Sequence, residues 1–245
     1  MPETAAASPE TTIRDRIIVA LDVEKAEKAR EISRELDGFV GAYKIGLQLF
    51  TAAGPDLVRE FADQGIKVFL DLKFHDIPNT VAKAAAEVAR LGVWMFNVHT
   101  AGGREMMRST VHEVDSVCLR EGLCRPLVIG VTVLTSSDAA VLREIGVESE
   151  VDTHVCRLSE LAGASGLDGV VASPQEARIV KDSVNRPNFM VVTPGIRATN
   201  ATSDDQKRVT TVRQALAEGS DYVVIGRPIV NADDRIKAIE KMISG

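Results

Sequence analysis

Eight short apolar runs, each followed by a segment with helical spacing, constrain this chain more than any other feature. The runs fall at 16–22, 42–46, 68–71, 94–99, within 126–134, and at 168–172, 189–193 and 221–225. They are short and mostly apolar, as strands buried on both faces are. Between them, apolar residues recur at helical intervals. Ala26, Ala29, Ile32 or Ser33, and Leu36 share one face; Leu47, Phe50, Leu57 or Val58, and Phe61 share another, with a restart at Gly54-Pro55. Val81, Ala84, Ala85, Val88 and Leu91 mark a third helix, and others are expected over 103–121, 139–145, 151–164, 174–182, 211–218 and 232–242. Strands that alternate with helices call for a parallel sheet covered by helices. Eight such units in 245 residues predict one α/β domain, a (β/α)8 TIM barrel. A doubly wound open sheet is the alternative, but no Gly-x-Gly-x-x-Gly follows the first run.

Apolar content of 45% and charged content of 26% are those of a globular protein. A net charge of −6 argues against non-specific binding to nucleic acid or to an anionic membrane. Any anionic ligand therefore needs a local positive cluster. No apolar stretch reaches the length of a membrane-spanning helix. Residues 1–12 are rich in Ala, Ser, Thr and Pro, lack the marks of a signal peptide, and are expected to form a loosely ordered tail. Cys118, Cys124 and Cys156 are odd in number and lack metal-ligand spacing. They are expected to be reduced thiols of a cytoplasmic protein, packed in its core.

The densest cluster of charge near an apolar run is Asp71-Leu72-Lys73-Phe74-His75-Asp76. Residues two apart on a strand share a face, so Asp71 and Lys73 are expected side by side at the end of the third strand. Charges placed there need partners or a purpose. Asp22, Lys44, Thr135, Arg197 and Arg227 also fall near predicted strand ends, where barrels of this kind build their active sites. Taken singly, each could be a structural ion pair or a cap. Asp76, before Ile77-Pro78, is well placed to cap the next helix, and Thr135 could do the same. His75 and His99 are expected to be structural, since no two histidines have the spacing of metal ligands.

The string Asp71-Leu72-Lys73-Phe74-His75-Asp76-Ile77-Pro78-Asn79-Thr80 resembles the active-site signature of the orotidine 5′-phosphate decarboxylases. The resemblance extends from Ile17 to about Pro228. It implies a homodimeric barrel that converts orotidine 5′-phosphate to UMP and CO2, the last step of UMP synthesis, without metal or organic cofactor. It casts Lys73 as the proton donor to C6 of the pyrimidine, with Asp71 beside the substrate carboxylate and Lys44 next to both. Asp76 is implied to reach into the neighbouring subunit's site, with Ile77 against the base and Thr80 on the ribose. Asp22 and Lys44 match ligands of the ribose hydroxyls, and Thr135 matches the residue that contacts the pyrimidine edge. Pro-Gly-Ile-Arg, ending at Arg197, and the Gly226-Arg227 pair look like the family's phosphate-binding ends. Gln206 matches the glutamine of a closing loop. Related sugar-phosphate lyases share Asp-x-Lys-x-x-Asp but need Mg2+ and carry an acid where this chain has Lys44. A barrel that only binds a nucleotide is a further alternative, against which the intact Asp71 and Lys73 argue.

Overall fold

The computed structural model describes residues 12–196 and 210–244. Its strands are β1 (Ile17–Ala20), β2 (Ala42–Gly46), β3 (Val68–Phe74), β4 (Met95–His99), β5 (Leu127–Val131), β6 (Gly169–Val171), β7 (Met190–Pro194) and β8 (Tyr222–Ile225). They pair in chain order, every pair parallel, and β8 closes on β1. The helices are α1 (Ala26–Glu35), α2 (Leu47–Asp63), α3 (Pro78–Arg90), α4 (Gly103–Glu121), α5 (Ala139–Glu144), α6 (Val151–Ala164), α7 (Ala177–Val184), α8 (Val212–Ala217), α9 (Arg227–Val230) and α10 (Arg235–Ser244). This is a (β/α)8 TIM barrel, and ring closure excludes the open-sheet alternative.

Period-2 alternation divides the apolar residues between two cores. Ile18, Ala20, Ala42, Phe69, Met95, Ile129, Val192 and Val224 fill the inside of the barrel. Their sequence neighbours, such as Val19, Tyr43, Leu70, Phe96 and Val191, pack outward among the helices. Trp94 and Tyr222 stand at the N-terminal ends of β4 and β8, ring centroids 5.1 Å apart and edge-on, packed against the inner core. Lys67 lies over the Trp94 ring at 5.8 Å. The bottom of the barrel is thus filled by apolar and aromatic side chains.

Three local details differ from the sequence expectation. β3 does not stop at Asp71 but runs to Phe74 through an irregular segment. The last helical region is split, with a four-residue α9 directly after β8 and α10 beginning later, at Arg235. Thr12, assigned to the loose tail, is tied down: its N–H and hydroxyl both donate to Asp15 Oδ2 at 2.8 Å. The rest of that tail lies outside the described residues. Within α2 the expected restart is present, since Gly54 has φ 71° just before Pro55. Glycine tolerates that angle where other residues do not.

Two acids at the N-terminal face repeat one device. Asp168 and Asp221 precede β6 and β8. Each backbone N–H donates to a carbonyl on the preceding strand, Val128 at 2.9 Å and Val191 at 2.8 Å. Each carboxylate accepts the N–H of that same valine at 2.7 Å. Arg125 and Lys181 hold the two carboxylates from outside, both at 2.7 Å. Asp221→Ala would leave the Val191 N–H without its acceptor, so unfolding stability should fall by about 1–3 kcal/mol in urea denaturation. Asp221→Asn, which keeps an acceptor oxygen, should lose less.

Candidate active site

The C-terminal ends of the strands surround a cavity of about 330 Å³. Asp22, Lys44, Asp71, Lys73, Thr135, Gly226 and Arg227 all line it. Val131, Val133, Leu134, Val171 and Val192 make an apolar wall, and Phe69 of the inner core contributes to the lining. Among the described lining residues, three cations face two carboxylates, so a local positive excess sits within an acidic protein. Such an excess favours an anionic ligand.

Asp71 is the centre of the charged side. Its Oδ1 accepts from Lys73 Nζ at 2.6 Å and from Asn97 Nδ2 at 2.7 Å. Its Oδ2 lies 3.1 Å from Lys44 Nζ. Lys44 Nζ in turn donates to Asp22 Oδ1 at 3.1 Å. Burial pushes the Asp71 carboxyl up, but Lys44, Lys73 and the hydrogen bonds from Lys73 and Asn97 outweigh it and hold the group below the ordinary carboxylate range. Burial likewise works to lower Lys44, and attraction to Asp71 and Asp22 overrides it, leaving the ammonium above its ordinary value. Gly46 makes room for this lysine, since a Cβ there would stand 2.9 Å from Lys44 Nζ.

The Asp71–Lys73 contact does not come from a regular strand. Leu70 pairs with Phe96 and Phe74 with Val98, so β3 fits two extra residues into that interval. Lys73 takes up the excess with φ 54°, a left-handed conformation that costs a non-glycine residue roughly 1–2 kcal/mol. Its displaced N–H donates to Asn97 Oδ1 at 2.8 Å. The bulge re-aims the lysine toward the cavity, a common use of such irregularities beside active sites.

Asp76, Ile77 and Thr80 are not part of this cavity. They are exposed beside it, and Ile77 keeps 66% of its surface open. The capping alternative for Asp76 is not realised. Ile77 occupies the N-cap of α3 without a side-chain cap bond, and Asp76 Oδ1 accepts from the adjacent Ile77 N–H at 2.6 Å. Nor does Thr135 cap α5. That role belongs to Asp138, which accepts from Ala140 and Val141 at 2.9 and 3.1 Å. Arg197 and Gln206 lie outside the described residues.

Residues 15–242 match the model of the Orotidine 5'-phosphate decarboxylase / HUMPS family. The chain belongs to this family. An orotidine 5'-phosphate decarboxylase from Syntrophotalea carbinolica is 50% identical over 230 residues, 94% of either chain. One from Coxiella burnetii is 48% identical over 225 residues, 92% of this chain and 94% of its own. Among solved structures, the orotidine 5'-phosphate decarboxylase of Lactobacillus acidophilus superposes with a TM-score of 0.81 at 35% identity, covering 93% of this chain and 97% of that one.

Sequence reasoning passed over Asn97. The available signal was a lone amide inside an apolar strand, two residues after the inward-facing Met95. It also left the histidines apart, whereas their rings lie 5.5 Å from each other, tilted by 39°. Burial first, then the charges of His75 and Lys73, hold His99 below its ordinary value, with Asp71 partly opposing. A ring titration followed by NMR should therefore give His99 a midpoint below the usual value of about 6.5. With the folded midpoint lowered, the stability His99 contributes is complete above about pH 6.5 and is lost as pH falls toward that midpoint. His99→Gln should flatten this limb of the stability profile; a midpoint at or above the ordinary value would contradict the burial argument.

Proposed function

We propose that this protein decarboxylates orotidine 5′-phosphate to UMP and CO2, the last step of UMP synthesis. The observation that carries the reading is the Lys44–Asp71–Lys73 array in the lining of a cavity that also holds Arg227 and an apolar wall. The substrate combines a phosphate, a ribose, a flat base and a carboxylate on C6. Arg227, beside Gly226 at the end of β8, takes the phosphate with Arg197, at the recurrent anion site of such barrels. Arginine suits this role because it can offer two parallel donors. Asp22 and Lys44 take the ribose hydroxyls, Thr135 takes the pyrimidine edge, and Gln206 adds a further contact to the nucleotide.

The base then lies with C6 toward Asp71 and Lys73. As the C6 carboxylate departs as CO2, the bonding electron pair stays on C6. Lys73 Nζ stabilises that developing charge and gives C6 a proton, and solvent restores the lysine. Binding energy from the phosphate and ribose is expressed at the reacting carbon, and the fixed ammonium supplies electrostatic stabilisation there. No metal or organic cofactor takes part. Lys44 Nζ lies 3.1 Å from both Asp22 and Asp71, so a cation stands where the related lyases would hold Mg2+. The free thiols of Cys118, Cys124 and Cys156 suit a cytoplasmic enzyme, although only Cys118 is buried.

Turnover is tested by the loss of pyrimidine absorbance when the purified protein meets orotidine 5′-phosphate with EDTA present. Lys73→Ala should abolish nearly all of it while UMP binding stays within about tenfold, because phosphate and ribose are held elsewhere. Absence of wild-type turnover, with UMP still bound, would favour the binding-only barrel.

The enzyme acts as a homodimer with shared sites. Asp76, Ile77 and Thr80 are exposed beside the cavity rather than in it, which supports their service to the partner's site. Lys73→Ala and Asp76→Ala homodimers should each be nearly inactive. After subunit exchange, half the dimers are mixed, and in each of these one site carries both substitutions and the other neither. Activity should return to roughly a quarter of the wild-type level, as two-fold symmetry requires. Exchange confirmed by mass without recovery would assign Asp76 to its own chain.

A further inference from the structure

Asn97 has no assigned part in this site, yet its environment is unusual for an amide. It is fully buried on β4, in a strand otherwise made of Met95, Phe96, Val98 and His99. Both ends of its side chain face β3, at the interval where the register slips. Oδ1 accepts the N–H of Lys73 at 2.8 Å, and Nδ2 donates to Asp71 Oδ1 at 2.7 Å. A regular neighbouring strand would offer a backbone carbonyl to that N–H. Here a side chain supplies the acceptor because β3 has bulged away from the ladder. The same amide then orients the carboxylate to which Lys73 Nζ is bound at 2.6 Å. One side chain therefore fixes the backbone of the lysine and the partner of its ammonium.

We propose that Asn97 is a positioning residue for the decarboxylation, holding Lys73 in its left-handed conformation and setting the orientation of Asp71. The proposal rests on the function assigned above. Chemistry explains the residue type. The position needs an acceptor and a donor a short distance apart, with no net charge. Asparagine has both. Aspartate would keep the acceptor but set a second carboxylate against Asp71. Alanine or leucine would leave the Lys73 N–H unmatched at a strained residue. Asn97 does not line the cavity, so it acts through its two partners and not on the substrate.

The test compares wild type, Asn97→Ala and Asn97→Asp, with kcat normalised to the sites titrated by UMP. Misplacement of a reacting group by about 1 Å can cost about 10²-fold in rate, so kcat should fall by about that factor in Asn97→Ala while the Kd for UMP stays within about threefold. Asn97→Asp, nearly isosteric, should fold and lose at least as much, which separates the lost donor from lost packing. A crystal structure of Asn97→Ala should show Lys73 leaving its left-handed conformation or Nζ parting from Asp71. Unchanged kcat per UMP site, or equal losses in kcat and UMP binding, would overturn the assignment. Failure of both variants to fold would also overturn it, making Asn97 a determinant of the barrel. An inert wild type would instead sink the decarboxylase reading, and the Lys73 geometry in the variant crystal would still decide whether Asn97 holds the lysine.

Discussion

A carboxylate buried at the top of the barrel constrains everything around it. Asp71 receives donors from three adjacent strands: Lys44 on β2, Lys73 on its own β3 and Asn97 on β4. Taking a carboxylate out of water is costly unless its oxygens are matched, and breaking a buried pair by removing one partner typically costs about 3–5 kcal/mol. The three partners must therefore be held in place together, and the irregular path of β3 follows from that demand. A regular strand could not bring the Lys73 backbone N–H to Asn97 while bending the ammonium back onto Asp71. The strain at Lys73 is tolerated because the surrounding hydrogen bonds over-determine it.

Carboxylates at the two ends of the barrel are satisfied differently, and the difference separates architecture from chemistry. Asp168 and Asp221, at the N-terminal face, accept backbone N–H groups from neighbouring strands and take their cations from the outside. Their bonds fix register. Asp22 and Asp71, at the C-terminal face, are matched by lysines that border the cavity. Those lysines remain within reach of a ligand. Ion pairs at the two ends look alike in a sequence.

Much of the barrel was legible because its physics is periodic. Eight short apolar runs and the helical stripes between them follow directly from strands buried on both faces. The α4 boundaries, Gly103 and Glu121, and the break at Gly54 came from the same patterns. What could not be read was local and depended on neighbours distant in sequence. A period-2 rule ends β3 at the first charges, because it has no term for a residue that rescues a bulge from the adjacent strand. Asp76 and Thr135 showed the opposite problem. Short-range rules offered capping as an alternative for both of them, but Ile77 and Asp138 stand at those positions. Which side of the molecule Asp76 addresses is a question of symmetry, and one chain's sequence carries little of that.

Strand order has a consequence for how such a protein can change. Because the barrel is laid down in chain order, Lys44, Asp71, Lys73 and Asn97 come from three consecutive strands within one continuous quarter of the sequence. The apolar wall and Arg227 come from β5 to β8 and the segments that follow them. The charged array and the apolar wall are thus carried by separate stretches of polypeptide. Insertions or substitutions in the later loops can reshape which molecule fits while the earlier quarter, with its fixed ammonium and matched carboxylate, passes on unaltered. A division of this kind lets one scaffold acquire new ligands while its charged array stays as it is.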